Sequence, residues 1–208
     1  MLGFVASSKR EPSPLSKAMA PSTQAALVAL IANPELHASE ELMEMTGMPS
    51  SSVSRALDDL SRRGLINKSK QARRIIIECN GSQNELVKNA MEFLQNPVKH
   101  VMYARKDKAT CLLPLAGESA LSNRSMLTPP TIECRALSKK NRGAIVLDEV
   151  QLGELPNDET VQIQVWTYDP LVAGKSEIDD VSLALTLNDA EDERIIGQLN
   201  ALFKEELW

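Results

Sequence analysis

The chain has 208 residues, of which 43% are apolar, 25% are charged and 3% are aromatic. Such a length and composition are typical of a globular protein with one or two domains. The few aromatic side chains argue against a stacking platform for single-stranded nucleic acid. Two histidines and three widely separated cysteines leave little material for a zinc site, a catalytic triad or a disulfide framework. We therefore expect no metal, no cofactor and no catalytic residue, and a reducing compartment such as the cytoplasm.

The distribution of charged and apolar residues along the chain indicates which kinds of partner to expect. The net charge is −5, yet residues 1–110 contain 15 basic against 11 acidic side chains, whereas residues 111–208 contain 8 against 17. The longest apolar run, residues 25–32, is much shorter than the roughly 20 residues that span a bilayer, so no membrane partner is expected. Residues 55–74 form a basic window, whose field acts on a neighbouring phosphate within a Debye length of about 8–10 Å. The basic window favours a nucleic-acid partner. The alternative is a charged surface that contacts only solvent.

The first elements are predicted to be an arm and two helices. Residues 1–20 mix Ser, Pro, Lys and Arg without periodicity and are predicted to be a flexible arm. A helix follows, with Ser22 or Thr23 as its expected N-cap. A second helix is predicted from Ser39, with acidic residues in its first turn, to a stop at Gly47.

The segment after these helices is the most informative. Residues 51–63 predict a helix whose apolar side chains recur at helical spacing and form one stripe. Gly64 ends this helix, and a polar turn over residues 67–71 and a β-branched strand over residues 73–79 follow. The predicted order is helix, helix, tight turn, helix and a two-stranded ribbon with a basic tip. This order is typical of a helix-turn-helix followed by a wing.

Residues 42–66, LMEMTGMPSSSVSRALDDLSRRGLI, resemble the helix-turn-helix of MarR-type bacterial winged-helix regulators. The shared features are an acidic and apolar helix, a Gly-apolar turn, a Ser-rich cap, Val-Ser-Arg, and a Gly-Leu-Ile exit into the wing. The resemblance implies a winged helix-turn-helix over residues 21–82. It also implies a sequence-specific transcriptional regulator of double-stranded DNA, which we expect to be a dimeric repressor.

In such a protein the third helix enters the major groove, and the wing contacts the backbone or the minor groove. The candidate groove contacts are therefore Ser51, Ser52, Ser54 and Arg55. The candidate phosphate contacts, which position the protein without specifying sequence, are Arg62, Arg63, Lys68, Lys70, Arg73 and Arg74.

The rest of the chain predicts a different architecture. Residues 83–97 are predicted to be a linker helix, which either serves dimerisation or packs on the winged helix. Further on we predict a short apolar strand over residues 111–115, a strictly alternating, half-buried strand over residues 161–166 and an acidic amphipathic helix over residues 190–208. The predicted fold class is therefore α+β, with an N-terminal winged helix-turn-helix followed by a small α+β domain over residues 98–208.

An enzymatic function is not expected for this second domain. The tetrapeptide Gly-Glu-Ser-Ala at residues 117–120 lacks the second glycine of the G-x-S-x-G nucleophile elbow, and a histidine base is hard to find. The carboxylates near the end of the chain are expected to be solvated or to compensate helix dipoles rather than to hold a metal.

Short pieces of the second half suggest an alternative function. The segment LAGESALSNRSMLTPP at residues 115–130, with the later pieces WTYDP and DDVSL, is similar to the C-terminal part of abortive-infection type IV antitoxins. The resemblance implies an antitoxin-like protein in which residues 98–208 bind and neutralise a toxin-like partner, with autoregulatory DNA binding. The excess of acidic residues in this half is expected to keep it away from DNA.

Overall fold

The computed structural model describes residues 17–72, 74–205 and 207. Most of the arm predicted over residues 1–20, as well as Arg73 and Trp208, lies outside these residues. In the described part, three helices precede a strand hairpin, and a second set of strands and helices follows. This order confirms the predicted α+β class, with an N-terminal winged helix-turn-helix followed by a sheet-containing second half.

The winged helix-turn-helix has the predicted order of elements. They are α1 (Pro21–Ala32), α2 (Ser39–Thr46), α3 (Ser50–Arg62), β1 (Ile66–Gln71) and β2 (Arg74–Cys79). The helix α2 begins at the predicted Ser39 and ends at Gly47, whose φ of 61° lies in the left-handed region. The predicted N-cap of α1 is wrong, because Ala20 is the capping residue and Pro21 is the first helical residue. Proline suits this position because its fixed φ is helical and an N–H there would have no helical partner.

The wing is a two-stranded antiparallel hairpin with a longer first strand than predicted. The polar segment 67–71, predicted as a turn, belongs to β1 and pairs with β2 along its whole length, ending with Gln71 opposite Arg74. Its side chains are exposed, so hydrogen bonding to the isoleucine-rich β2, rather than apolar burial, holds this strand. An isolated antiparallel bridge between Ala38 and Ile76 joins the segment before α2 to the hairpin.

The second half contains a four-stranded sheet and several helices. Its elements are α4 (Gln83–Ala90), β3 (Val98–Arg105), α5 (Lys108–Cys111), α6 (Gly117–Asn123), β4 (Glu133–Ser138), β5 (Glu149–Val150), β6 (Thr160–Trp166), α7 (Asp180–Thr186) and α8 (Glu193–Phe203), with 3₁₀ turns at Arg142–Ala144 and Asn157–Glu159. The strand order is β4-β6-β3-β5. The strand β4 is parallel to β6, and β3 is antiparallel to both of its neighbours.

Two strand predictions in this half are wrong. The apolar strand predicted over residues 111–115 is instead the end of α5 and a loop, in which Leu112 is 87% exposed. The strand predicted over residues 161–166 is not half-buried, because β6 is a central strand and its side chains are buried on both faces apart from Gln162. The amide oxygen of Gln164 accepts a hydrogen bond from Trp166 Nε1 at 3.0 Å, which lets a polar side chain lie in this core.

One apolar core extends from the winged helix into the second half. The helix α1 is buried at every position from Thr23 to Ile31 and packs against α2, α3, α4 and α7. A helix without an exposed face needs neighbours on all sides. Elements of both halves therefore enclose α1. Among the described helices, none is long and apolar enough to cross a membrane.

Candidate nucleic-acid interface

The helix α3 has one apolar face and one polar face. Its buried residues are the predicted stripe, Val53, Ala56, Leu57 and Leu60. The helices α1 and α2 and the strand β1 pack against α3. Because the apolar residues share one stripe, the remaining surface of the helix faces solvent. The exposed side chains on that surface include Ser51, Ser54, Arg55, Asp58 and Arg62.

The four candidate groove residues lie in the first two turns of α3. Ser51, Ser54 and Arg55 are exposed, and Ser52 is half-buried. The Nε atom of Arg55 donates a hydrogen bond to the carbonyl oxygen of Ser51 at 3.1 Å, which holds the guanidinium along the helix surface beside the serines. A guanidinium fork matches the O6 and N7 acceptors of guanine in the major groove. The start of α3 therefore presents hydroxyl and guanidinium groups suited to base edges.

The two arginines at the end of α3 differ in their exposure. Arg62 is exposed, with its Nη2 3.4 Å from Asp59 Oδ1. The side chain of Arg63 is 1% exposed, with its Nε 3.3 Å from Asp59 Oδ1 and its Cζ 4.6 Å from the centre of the Phe93 ring. A phosphate contact by Arg63 would require it to leave both the carboxylate and the aromatic face. The predicted phosphate role of Arg63 is therefore replaced by a structural one, the attachment of the end of α3 to Phe93.

The wing carries the other candidate cations. Lys70 on β1 and Arg74 on β2 are exposed, and Arg73 lies outside the described residues. The Nζ of Lys68 forms an ion pair with the carboxylate of Asp58 on the exposed face of α3. This contact holds the wing against α3, and it partly neutralises Lys68 as a phosphate contact.

The exposed face of α3 and the first wing strand thus form one surface, joined by the pair of Asp58 and Lys68. A projecting helix of this kind fits the major groove of B-DNA, which is about 12 Å wide. Ser119 in the Gly-Glu-Ser-Ala segment is not placed as a nucleophile, because it is buried and its Oγ accepts a hydrogen bond from the Cys134 N–H at 2.8 Å. No group of three or more potential metal ligands occurs among the residues that the structure describes.

A second polar arrangement, not predicted from the sequence, joins α1 to the second half. The Nε2 of Gln24 donates to the carbonyl oxygen of Gln95 at 2.7 Å and to the hydroxyl of Tyr168 at 3.3 Å, and its Oε1 accepts from the Gln95 N–H at 2.9 Å. The Tyr168 hydroxyl lies 2.8 Å from Ser182 Oγ, and the Ser182 N–H donates to Asp179 Oδ1 at 2.7 Å. Gln24 and Tyr168 are 144 residues apart in the chain. The sequence signal for this arrangement is Gln24, a long polar side chain in a helix without charged residues.

Burial changes the acidity of this network. Loss of hydration raises the pKa of Asp179 from an ordinary 3.8 to about 6. Burial, followed by the charge of Asp179, also raises the pKa of Tyr168. The Oδ2 atom of Asp179 is buried and has no hydrogen-bond partner among the described residues. A carboxyl group whose pKa is close to neutral therefore lies where the two halves meet.

The arrangement of α1, α2, α3 and the hairpin has a counterpart among known families. Residues 21–75 match the model of the MarR family. The match covers about a quarter of the chain and includes all three helices and β1. It supports the MarR-like winged helix inferred from residues 42–66, and with it a DNA-binding transcriptional regulator.

The MarR match bears on enzymatic function, and the other comparisons bear on the antitoxin resemblance. The family consists of regulators rather than enzymes, which agrees with the expectation that this chain is not an enzyme. Comparisons with curated proteins and with solved structures gave no match. The resemblance of the second half to abortive-infection antitoxins therefore has no support from these comparisons.

Proposed function

We propose that this protein is a dimeric repressor that binds a specific sequence of double-stranded DNA. Residues 21–82 supply the DNA contacts, and residues 83–97 connect them to residues 98–208. The C-terminal part holds two winged helices at a fixed spacing. The protein acts on nucleoid DNA in the cytoplasm.

The observation that carries this proposal is the exposed serine and arginine face at the start of α3. On a MarR-like winged helix, α3 is the element that enters the major groove. Ser51, Ser54 and Arg55 occupy the face opposite the buried stripe, and Ser52 lies at its margin. Hydroxyl groups pair with several base edges, whereas an arginine fork pairs best with guanine. We therefore assign the base contacts to these four residues.

Phosphate contacts come from the cations that remain exposed. Arg62 lies at the end of α3, and Lys70 and Arg74 lie on the two wing strands. Arg73 is included on its sequence position alone. Lys68 contributes only when a phosphate displaces Asp58. These contacts fix the position of the protein on the duplex and give little discrimination between sequences.

We propose a dimer because two linked winged helices bind DNA more tightly than one. One winged helix covers a single half-site, whereas two linked copies bind the second half-site at a raised effective concentration. A symmetric dimer predicts an operator with two related half-sites, about one helical turn or a multiple of it apart. A repressor of this kind acts by occupying a promoter.

Selection of duplexes from a random pool by the full chain tests this proposal. We expect one enriched motif with two-fold symmetry. The variant Arg55→Ala should relax the preference at one base pair in each half-site, at a cost of about 1–3 kcal/mol. The matched control is Arg194→Ala, which removes an exposed arginine from α8 and should leave the motif unchanged.

Three other results would contradict parts of the proposal. A pool without enrichment would exclude sequence-specific binding and favour the antitoxin-like alternative, in which residues 98–208 capture a toxin-like protein. Equal weakening of all duplexes by Arg55→Ala would make this residue a phosphate contact. A chain that sediments as a monomer at tens of micromolar, free and on the selected duplex, would exclude the dimer.

A further inference from the structure

One end of the four-stranded sheet brings together lysines that are 40 residues apart in the chain. The strands β3 and β4 both pair with β6, whose last residue, Trp166, lies opposite Val98 on one side and Ser138 on the other. The next residues along β3 and after β4 are Lys99 and Lys139. Lys140 follows directly, and all three lysines are exposed.

A strand irregularity occurs at Lys99 itself. The pairing of β3 with β6 passes from Val98 opposite Trp166 to His100 opposite Val165, so Lys99 is an extra residue in the strand. Such bulges redirect a side chain, and they are frequent beside functional sites. The Lys99 amine lies within hydrogen-bonding reach of the Lys139 amine, and this contact lowers the pKa of Lys99.

Two adjacent ammonium groups repel each other unless an anion lies close to both. No carboxylate forms an ion pair with Lys99, Lys139 or Lys140 in the described part of the chain. In the same half, ion pairs with Asp or Glu engage Arg105, Lys106, Arg124, Arg135, Arg142 and Arg194. Lys108, Lys175 and Lys204 also have no ion pair among the described residues, but they lie on separate elements, in α5, before α7 and after α8. Lys99, Lys139 and Lys140 differ from them because they lie together at one end of the sheet. The three lysines therefore form a small, exposed, positively charged surface in a half of the chain that has a net negative charge.

This surface is close to the end of α3. Phe93, which contacts the Arg63 guanidinium, is six residues before Lys99, a span of at most about 20 Å. The Thr167 N–H donates to the carbonyl oxygen of Pro97 at 2.9 Å, which anchors this segment to the end of β6. One turn of duplex measures about 34 Å. The backbone of Lys99 is thus within about 20 Å of Phe93, the residue that the end of α3 contacts, and this span is shorter than one duplex turn.

We propose that Lys99, Lys139 and Lys140 form a second phosphate-contact surface, which binds the DNA backbone beside the segment bound by α3. This inference rests on the proposed DNA-binding function and extends its footprint into the second half. It replaces the expectation that the acidity of this half keeps all of it away from DNA. Neither of two clefts in the described residues, of about 710 and 350 Å³, is lined by these lysines, so an open polyanion fits this surface better than an enclosed small anion.

The test compares the full chain with the triple variant Lys99→Gln, Lys139→Gln, Lys140→Gln. Binding is measured against salt on a long duplex and on a duplex trimmed to the contacts of α3 and the wing. On the long duplex the variant should bind roughly tenfold more weakly, and the slope of log affinity against log salt should fall by about 2–3, because each phosphate contact contributes about 0.9. On the trimmed duplex the variant should match the wild type, which also shows that it is folded.

The matched control is Lys108→Gln, Lys175→Gln, Lys204→Gln, which removes the same charge from exposed positions of the same half. It should retain the wild-type slope on both duplexes. Equal weakening by both triple variants would reduce the effect to net charge and overturn the inference. An unchanged long-duplex affinity would overturn it too, while binding of the trimmed duplex would leave the proposed function intact. A wild-type chain that binds neither duplex would overturn both proposals.

Discussion

The helices α1 and α3 have nearly equal lengths and belong to the same winged helix, yet their surroundings are opposite. α1 has 12 residues and is buried at nine consecutive positions, whereas α3 has 13 residues and is buried along one stripe. A helix enclosed on all sides contacts no ligand unless its neighbours move. A helix with one buried stripe presents the rest of its surface. The burial of α1 therefore gives this helix a role in stability, whereas the exposed surface of α3 suits the recognition role that we propose for it.

The sequences of the two helices explain the difference. α1, PSTQAALVALIA, has no charged residue, so no side of it strongly prefers water. α3, SSSVSRALDDLSR, has four charged residues off its apolar stripe. The one large polar side chain of α1, Gln24 in its first turn, is hydrogen-bonded to Gln95 and Tyr168. Through α1, the winged helix therefore shares an apolar core with the second half. The exposed face of α3 stays accessible to a partner.

The largest expected effect comes from a cavity in α1. Leu27 is fully buried, so Leu27→Ala should lower the free energy of unfolding by about 2–5 kcal/mol. Ser54→Ala, on the exposed face of α3, should change it by less than about 0.5 kcal/mol. Urea unfolding of the full chain measures both variants. A similar loss of stability from the two substitutions would break the distinction between the helices.

A second test concerns the network that joins α1 to the second half. The pKa of Asp179 is about 6 in the folded protein and an ordinary 3.8 in the unfolded chain, so the folded state binds the proton more tightly. Stability from this group is therefore complete below about pH 4 and is lost as the pH rises through 6, a change of roughly 3 kcal/mol.

Asp179→Asn removes this ionisation and keeps an N-cap acceptor for the Ser182 N–H. Unfolding in urea from pH 4 to pH 8 should show the wild type losing stability relative to the variant as the pH rises. The difference between the two proteins matters, because other carboxylates, such as that of Asp192, titrate with the opposite sign. A constant difference across this range would show that Asp179 has an ordinary pKa.

The smallest expected effect comes from the ion pair of Asp58 and Lys68, which joins α3 to the wing. Asp58→Asn removes a negative charge from the exposed face of α3 and releases Lys68. Because the pair is exposed, stability should change by less than about 1 kcal/mol. Affinity for duplex DNA should rise, and the salt slope should steepen by about 0.9 if Lys68 gains one phosphate. Weaker binding would instead show that the ion pair is needed to position the wing.

The sequence predicted the bounds of α2 and α3 closely, because each helix has an apolar stripe and is bounded by a glycine or a proline. It misplaced the turn of the wing, because residues 67–71 are polar yet are held in β1 by pairing with β2. The burial of β6 was also missed, since its alternating glutamines do not reveal that both faces are covered. The contacts of Gln24 and the meeting of Lys99 with Lys139 depend on distant pairing that no local pattern encodes.

A salt titration of the full chain on double-stranded DNA, followed by fluorescence anisotropy, measures whether α3 and the wing bind duplex DNA. Contacts from Arg62, Lys70 and Arg74, together with Arg73, predict that log affinity falls linearly with log salt, with a slope of about −0.9 for each phosphate contacted. The variant Arg62→Gln, Lys70→Gln, Arg74→Gln should flatten that slope by nearly three contacts. Absence of binding at about 50 mM salt, or a slope that this variant leaves unchanged, would show that α3 and the wing do not contact the DNA backbone as proposed.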